Sequence, residues 1–107
     1  MDMSLEDMRR NAARATALLK SMANESRLTI LCQLSQQEMT VGELSALVDL
    51  SQSALSQHLS LLRREGLVKT RRSSQFVHYS LDSAEVKAVI GTLYEQFCAP
   101  SDEREAG

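Results

Sequence analysis

The chain has no tryptophan, and its 107 residues hold only two phenylalanines and two tyrosines. A core must therefore be built from Leu, Val, Ile, Met and Ala, in an amount that suits one domain rather than two. No window approaches the ~20 consecutive apolar residues of a membrane span. Met1 to Asp7 carries Asp2, Glu6 and Asp7 in place of an apolar run, unlike a signal or transit peptide. A cytoplasmic protein without membrane contact is expected. There are no internal repeats, no Gly-rich phosphate loop and no triad-like set of residues. The cysteines, Cys32 and Cys98, lack the C-x-x-C spacing and a neighbouring base that a thiol enzyme needs. These absences argue against an enzyme and call for no cofactor.

Net charge is also small, −2, but it is unevenly spread. Residues 51–81 carry Arg63, Arg64, Lys69, Arg71 and Arg72 against Glu65, a local +4, whereas residues 1–50 sum to −2 and residues 82–107 to −4. At physiological salt the Debye length is ~8 Å, so local sign outweighs the total. The positive segment is where a polyanion would lie.

That segment begins with Ser51 to Gly66, SQSALSQHLSLLRREG. At 3.6 residues per turn, Leu55, Leu59 and Leu62 form one apolar stripe. Ser53, Ser56, Gln57, Ser60, Arg63 and Arg64 form the opposite face. A helix facing only water more often pairs Glu with Lys at i,i+4. Short donors and acceptors ending in two guanidinium groups suit base edges and phosphates in a major groove. Taken alone, the stretch fits an amphipathic surface helix and a DNA-reading helix equally.

Its neighbours tip the balance. Thr40-Val41-Gly42-Glu43 is a capping box that opens a short helix through Val48. Asp49-Leu50 makes a tight connection, and Ser51 can cap the next helix. A short helix, a brief turn and a longer helix with a polar outer face make a helix-turn-helix. Leu67 to Arg72 and Gln75 to Leu81 then read as two strands joined by Ser73-Ser74. Upstream, helices are expected over Ser4–Met22 and, capped by Asn24, over Glu25–Gln37. The second bears apolar residues on several sides, which marks it as central. Met39 to Val41 is extended. Asp82-Ser83-Ala84-Glu85 opens a last helix bearing Val86, Val89, Ile90, Leu93, Tyr94 and Phe97, stopped by Pro100.

The fold class is therefore mainly α with a small β-hairpin wing. It is a winged helix-turn-helix in the order helix, helix, short strand, helix, helix, strand, strand, helix. A single domain covers residues 1–100, and a polar, acidic tail at 101–107 is expected to be disordered. The first and last helices carry more apolar surface than one small domain covers, which points to a homodimer. A dimer also suits the target, double-stranded DNA, because two reading helices can reach half-sites of an inverted repeat ~34–36 Å apart. Met8, Met22 and Met39 are expected in the core, His58 packed on the Leu55–Leu59–Leu62 stripe, and His78 as an ordinary strand residue. A protein-interaction module that binds no nucleic acid would show aliphatic or aromatic anchors in place of the Ser/Gln/Arg face.

LKSMANESRLTIL, TVGELSALVDLSQSALSQHLSLLRREGLV and FVHYSL resemble the ArsR/SmtB family of dimeric winged-helix transcriptional regulators, over about Ala15 to Phe97. The resemblance implies that Gln52, Ser53, Ser56 and Gln57 contact DNA, with Arg71, Arg72 and Gln75 from the wing and Arg27 near the backbone. The sequence departs from the metal-sensing members. Thr40 and Gly42 stand where one site would have thiolates, and the last helix has no His for the other, so no metal is expected. Many relatives carry Gly where Ser73-Ser74 stands.

Cys32 and Cys98 sit where the HlyU-like and BigR-like thiol-sensing branch carries a cysteine pair. That position implies modulation of operator affinity by an oxidant or inorganic polysulfide that bridges the two sulfurs. The local sequence favours inert thiols instead: Cys32 lies on an apolar helix, and Cys98 lies near a helix C-terminus whose dipole disfavours a thiolate. A non-sensing regulator thus stands as the alternative, and a thiol-transfer protein that binds no DNA is the reading from another class.

Overall fold

The computed structural model describes residues 4–98; Met1, Met3, Pro100 and the 101–107 tail lie outside them. Local capping chemistry starts every helix. Helix α1, Leu5–Met22, is capped by the Ser4 hydroxyl, which accepts from Asp7 N–H, and Glu6 and Asp7 sit in the positive first turn. Helix α2, Glu25–Leu34, is capped by Asn24, whose side chain accepts from Arg27 N–H at 3.0 Å. It ends at Leu34, three residues before the expected Gln37. The Ser35 hydroxyl donates to the Cys32 carbonyl at 2.6 Å, and Gln36 and Gln37 N–H both turn to Gln33 O. A Ser side chain that takes a helix carbonyl competes with the next backbone donor, and the turn tightens.

Strand β1, Met39–Thr40, leads into α3, Val41–Leu47, so Val41 is helical rather than extended. The capping box is complete: Glu43 N–H donates to Thr40 Oγ1 at 3.2 Å, and Thr40 N–H to Glu43 Oε1 at 2.8 Å. Helix α4, Gln52–Arg64, starts at Ser51, whose hydroxyl accepts from Ala54 N–H at 3.1 Å. Its end is fixed by Gly66 at φ 82°. Gly66 N–H donates to Arg63 O and Leu67 N–H to Leu62 O, the Schellman arrangement, which needs a left-handed residue at this position.

Strands β2, Val68–Ser73, and β3, Phe76–Leu81, form an antiparallel hairpin, with β1 on the far side of β3. The turn is Ser74-Gln75, one residue later than expected, because Ser73 pairs with Phe76. A turn at Ser73-Ser74 would set Leu81 opposite Gly66, which caps α4. The observed register sets it against Val68 and buries both. The cost falls on Ser74, which takes φ 59°, a conformation that favours glycine.

Helix α5, Ala84–Leu93, is capped by Ser83 and passes into a π-helical turn, Tyr94–Cys98, where an α-helix through Phe97 was expected. The winged helix-turn-helix order is as read from the sequence.

The core joins Ile30, Leu31 and Leu34 of α2 to Leu44, to Leu55, Leu59 and Leu62 of α4, and to Val86 and Ile90 of α5. Met22 and Met39 belong to it as expected. Met8 does not: it is 46% exposed, because α1 touches the body mainly through its C-terminal half. Leu5, Leu19, Tyr94 and Phe97, the last 75% exposed, likewise stand on the first and last helical segments facing outward. No helix among the described residues is long and apolar enough to cross a membrane.

Candidate nucleic-acid interface

Leu55, Leu59 and Leu62 are fully buried, and each such side chain contributes about 1.5–3 kcal/mol of burial. They fix the rotation of α4 about its own axis. Gln52, Ser53, Ser56, Gln57, Ser60, Arg63 and Arg64 consequently all face solvent on one continuous side. The one spared hydroxyl is that of Ser51, which is engaged in the cap. His58 is half-buried at the edge of the leucine stripe. Arg64 lies only loosely against Glu65, at 3.9 Å.

The hairpin presents its residues by strand parity. Directly paired residues share a face, so Val68, Thr70 and Arg72 lie with Leu81, Tyr79 and Val77, the set that reaches the core at its lower end. Lys69, Arg71 and Ser73 lie on the other face with Ser80, His78 and Phe76. Arg71 and Arg72 therefore leave the wing in opposite directions. Arg72 and Gln75 are exposed near the tip. Lys69 lies 4.0 Å from Asp82. Arg71 is taken up in a two-point fork with Glu38: Nε donates to Oε2 at 2.8 Å and Nη2 to Oε1 at 2.6 Å. That contact holds the Glu38 carboxyl below its ordinary range, and His78 Nδ1 stands 4.0 Å from the same carboxylate. Glu38 is 33 residues from Arg71. No spacing in the sequence signals their meeting.

Arg27 stands elsewhere in the chemistry. Its Nε donates to Ser21 O at 2.6 Å and its Nη2 to Lys20 O at 3.3 Å, so the guanidinium caps the C-terminus of α1.

The two cysteines come together. Cys32, half-buried on α2, and Cys98, exposed in the π-turn, are free thiols lining one groove of about 560 Å³ with Leu28, Ile90 and Phe97. Burial, and secondarily the proximity of Cys98, pushes the Cys32 thiol above its ordinary pKa.

The helix-turn-helix and wing are shared with solved structures, and the sequence itself has close relatives. Residues 24–70 match the bacterial regulatory protein, arsR family. The transcriptional activator HlyU of Vibrio cholerae is 57% identical over 96 residues, covering 90% of this chain and 89% of that protein. The chain belongs to the arsR family. It is a transcriptional regulator and not an enzyme. The biofilm growth-associated repressor of Agrobacterium fabrum is 40% identical, covering 94% of this chain and 86% of that protein. Among solved structures, the transcriptional repressor BigR from Xylella fastidiosa superposes with a TM-score of 0.85 at 38% identity, over 92% of this chain and all of that one. The regulator HlyU from Vibrio vulnificus gives 0.82 at 59% identity, over 90% of this chain and all of that one. The relatives thus include both a named activator and named repressors.

Proposed function

We propose that this arsR-family regulator binds an inverted-repeat operator as a homodimer, reading bases with α4 and holding the backbone with the wing. The observation that carries the reading is the solvent face of α4: seven polar and cationic side chains aligned by three fully buried leucines. In this reading Gln52, Ser53, Ser56 and Gln57, nearest the helix N-terminus, meet base edges, as the N-terminal residues of a recognition helix do. Ser60, Arg63, Arg64, Arg72 and Gln75 supply backbone contacts, and Lys69 adds a fourth cation for the phosphates. The outward Leu5, Leu19, Tyr94 and Phe97 supply the apolar surface for a second copy.

We further propose that an oxidant or polysulfide bridges Cys32 and Cys98 and lowers operator affinity by tying α5's end to α2. Their shared groove supports it. With peroxide, the Cys98 thiol is oxidised to a sulfenic acid, and attack by Cys32 releases water and leaves a disulfide. A second reading, inert thiols, is favoured by the half-burial of Cys32 and its raised pKa.

The test is titration of operator and random duplexes, with the operator first recovered from a genomic pool. Omitting Arg71, the segment offers Arg63, Arg64, Lys69 and Arg72 per subunit. At about 0.9 per phosphate, a dimer gives a log K against log salt slope of roughly −7. Gln57→Ala is expected to cost about 1–3 kcal/mol on the operator alone. A salt-independent affinity defeats the DNA reading. Equal operator affinity before and after peroxide or polysulfide, in wild type and in Cys32→Ser and Cys98→Ser, defeats only the thiol switch.

A further inference from the structure

Three strands build a small charged row on the outer face of the wing. Thr40 pairs with His78 across β1 and β3, and His78 pairs with Arg71 across β3 and β2. Glu38 stands just before β1, two residues ahead of Thr40, the spacing that along a strand returns a side chain to the same face. The carboxylate thereby meets the guanidinium edge to edge, through both Nε and Nη2, with Arg71 still 55% exposed and Glu38 32% exposed.

A carboxylate fork and a DNA phosphate ask for the same donors. A free arginine that meets phosphate displaces a condensed counterion from the DNA, and that release is the source of salt-dependent affinity. Arg71 starts from a different state. To serve a phosphate it must leave Glu38, and it then strands a negative charge beside a polyanion. We propose that Glu38 is a built-in competitor of DNA phosphate for Arg71, an affinity-limiting residue that keeps this arginine out of the wing's electrostatic contacts. The inference rests on the DNA-binding reading above. Its effect is independent of base sequence, because the reading face of α4 is separate from the fork. The carboxyl is held below its ordinary range by Arg71, so the fork stays charged at neutral pH.

The test uses the full chain and a random-sequence duplex, with affinity measured across a salt series. Glu38→Gln removes the competing charge and frees Arg71. The slope is expected to steepen by about 1.8 for a dimer, one extra phosphate per subunit at ~0.9 each. The variant should bind more tightly than wild type at low salt. Its advantage should shrink roughly 12-fold between 50 and 200 mM salt, which follows from that slope change. Glu38→Asp, which keeps the charge, should stay near the wild-type slope. Glu38→Gln combined with Arg71→Gln should return to the wild-type slope, since a neutral pair replaces a self-compensated one. Thermal melts of each variant check that the fold is intact. An unchanged or flatter slope in Glu38→Gln overturns the proposal and leaves Glu38 as a structural tie or a support for Arg71. A gain that persists in the double variant also overturns it, by showing general repulsion rather than competition for Arg71. If wild type binds no DNA, the DNA-binding reading itself fails, a result distinct from either of these.

Discussion

Replacing Arg27 by Ala separates two roles that a surface arginine can play. In the structure its guanidinium donates to two carbonyls at the C-terminus of α1, Ser21 O at 2.6 Å and Lys20 O at 3.3 Å. The bond to Ser21 O is partly buried, which makes it the costlier of the two to lose. A charge-assisted bond of this kind contributes about 1.5–3 kcal/mol, and the longer, exposed bond to Lys20 adds only a few tenths. A total loss of about 2 kcal/mol, at ~4 °C per kcal/mol for a domain of this size, lowers Tm by roughly 8 °C. The assay is a thermal melt at fixed protein concentration, followed by the salt series on duplex DNA at a temperature where the variant is folded. A cap predicts the lower Tm with an unchanged slope. A phosphate contact predicts an unchanged Tm and a slope flatter by about 0.9 per subunit. The second result would refute the reasoning and return Arg27 to the DNA-binding set that the family resemblance implies.

Ser74→Gly should stabilise the wing by about 1 kcal/mol, because Ser74 sits at φ 59° where a side chain costs that much and glycine does not; an unchanged or lower denaturant midpoint would count against the turn. Alkylation should reach the exposed Cys98 before Cys32, with the onset for Cys32 displaced above that of a free thiol. Since Cys98 is the lesser cause of that displacement, Cys98→Ser should move the Cys32 onset down but leave it above the free-thiol value, as mass spectrometry of a pH series would read. The raised pKa also sets a sign: the folded chain holds the Cys32 proton more tightly, so this contribution to stability is full below the ordinary thiol pKa. It is lost as pH rises through the raised one. Cys32→Ala should flatten that part of the alkaline stability curve.

Much of the fold was legible because short-range chemistry specifies it. Ser51, Asn24, Ser83 and the Thr40–Glu43 box each satisfy helix N–H groups within three residues, so the starts could be read directly. The leucine period of α4 also determined which side chains would face outward, and the burial of Leu55, Leu59 and Leu62 follows from it. Ends and turns were less legible. The α2 terminus depends on one Ser35 hydroxyl choosing a carbonyl, and the wing turn on Val68 meeting Leu81 rather than on the local preference of Ser73-Ser74.

The sequence by itself determined the element order, the polar solvent face of α4 and the concentration of positive charge in residues 51–81, because each depends on periodicity or composition within one segment. Only the tertiary structure decided what each cation does. Arg71 is held by a carboxylate brought from the α2–β1 connection, and Arg27 by the end of the helix before its own. It likewise brought Cys32 and Cys98 into one groove and left Met8 outside the core. Charge and hydrophobicity are properties of a residue, but a partner is a property of where the chain has folded, and these partners lie across elements that no local pattern connects.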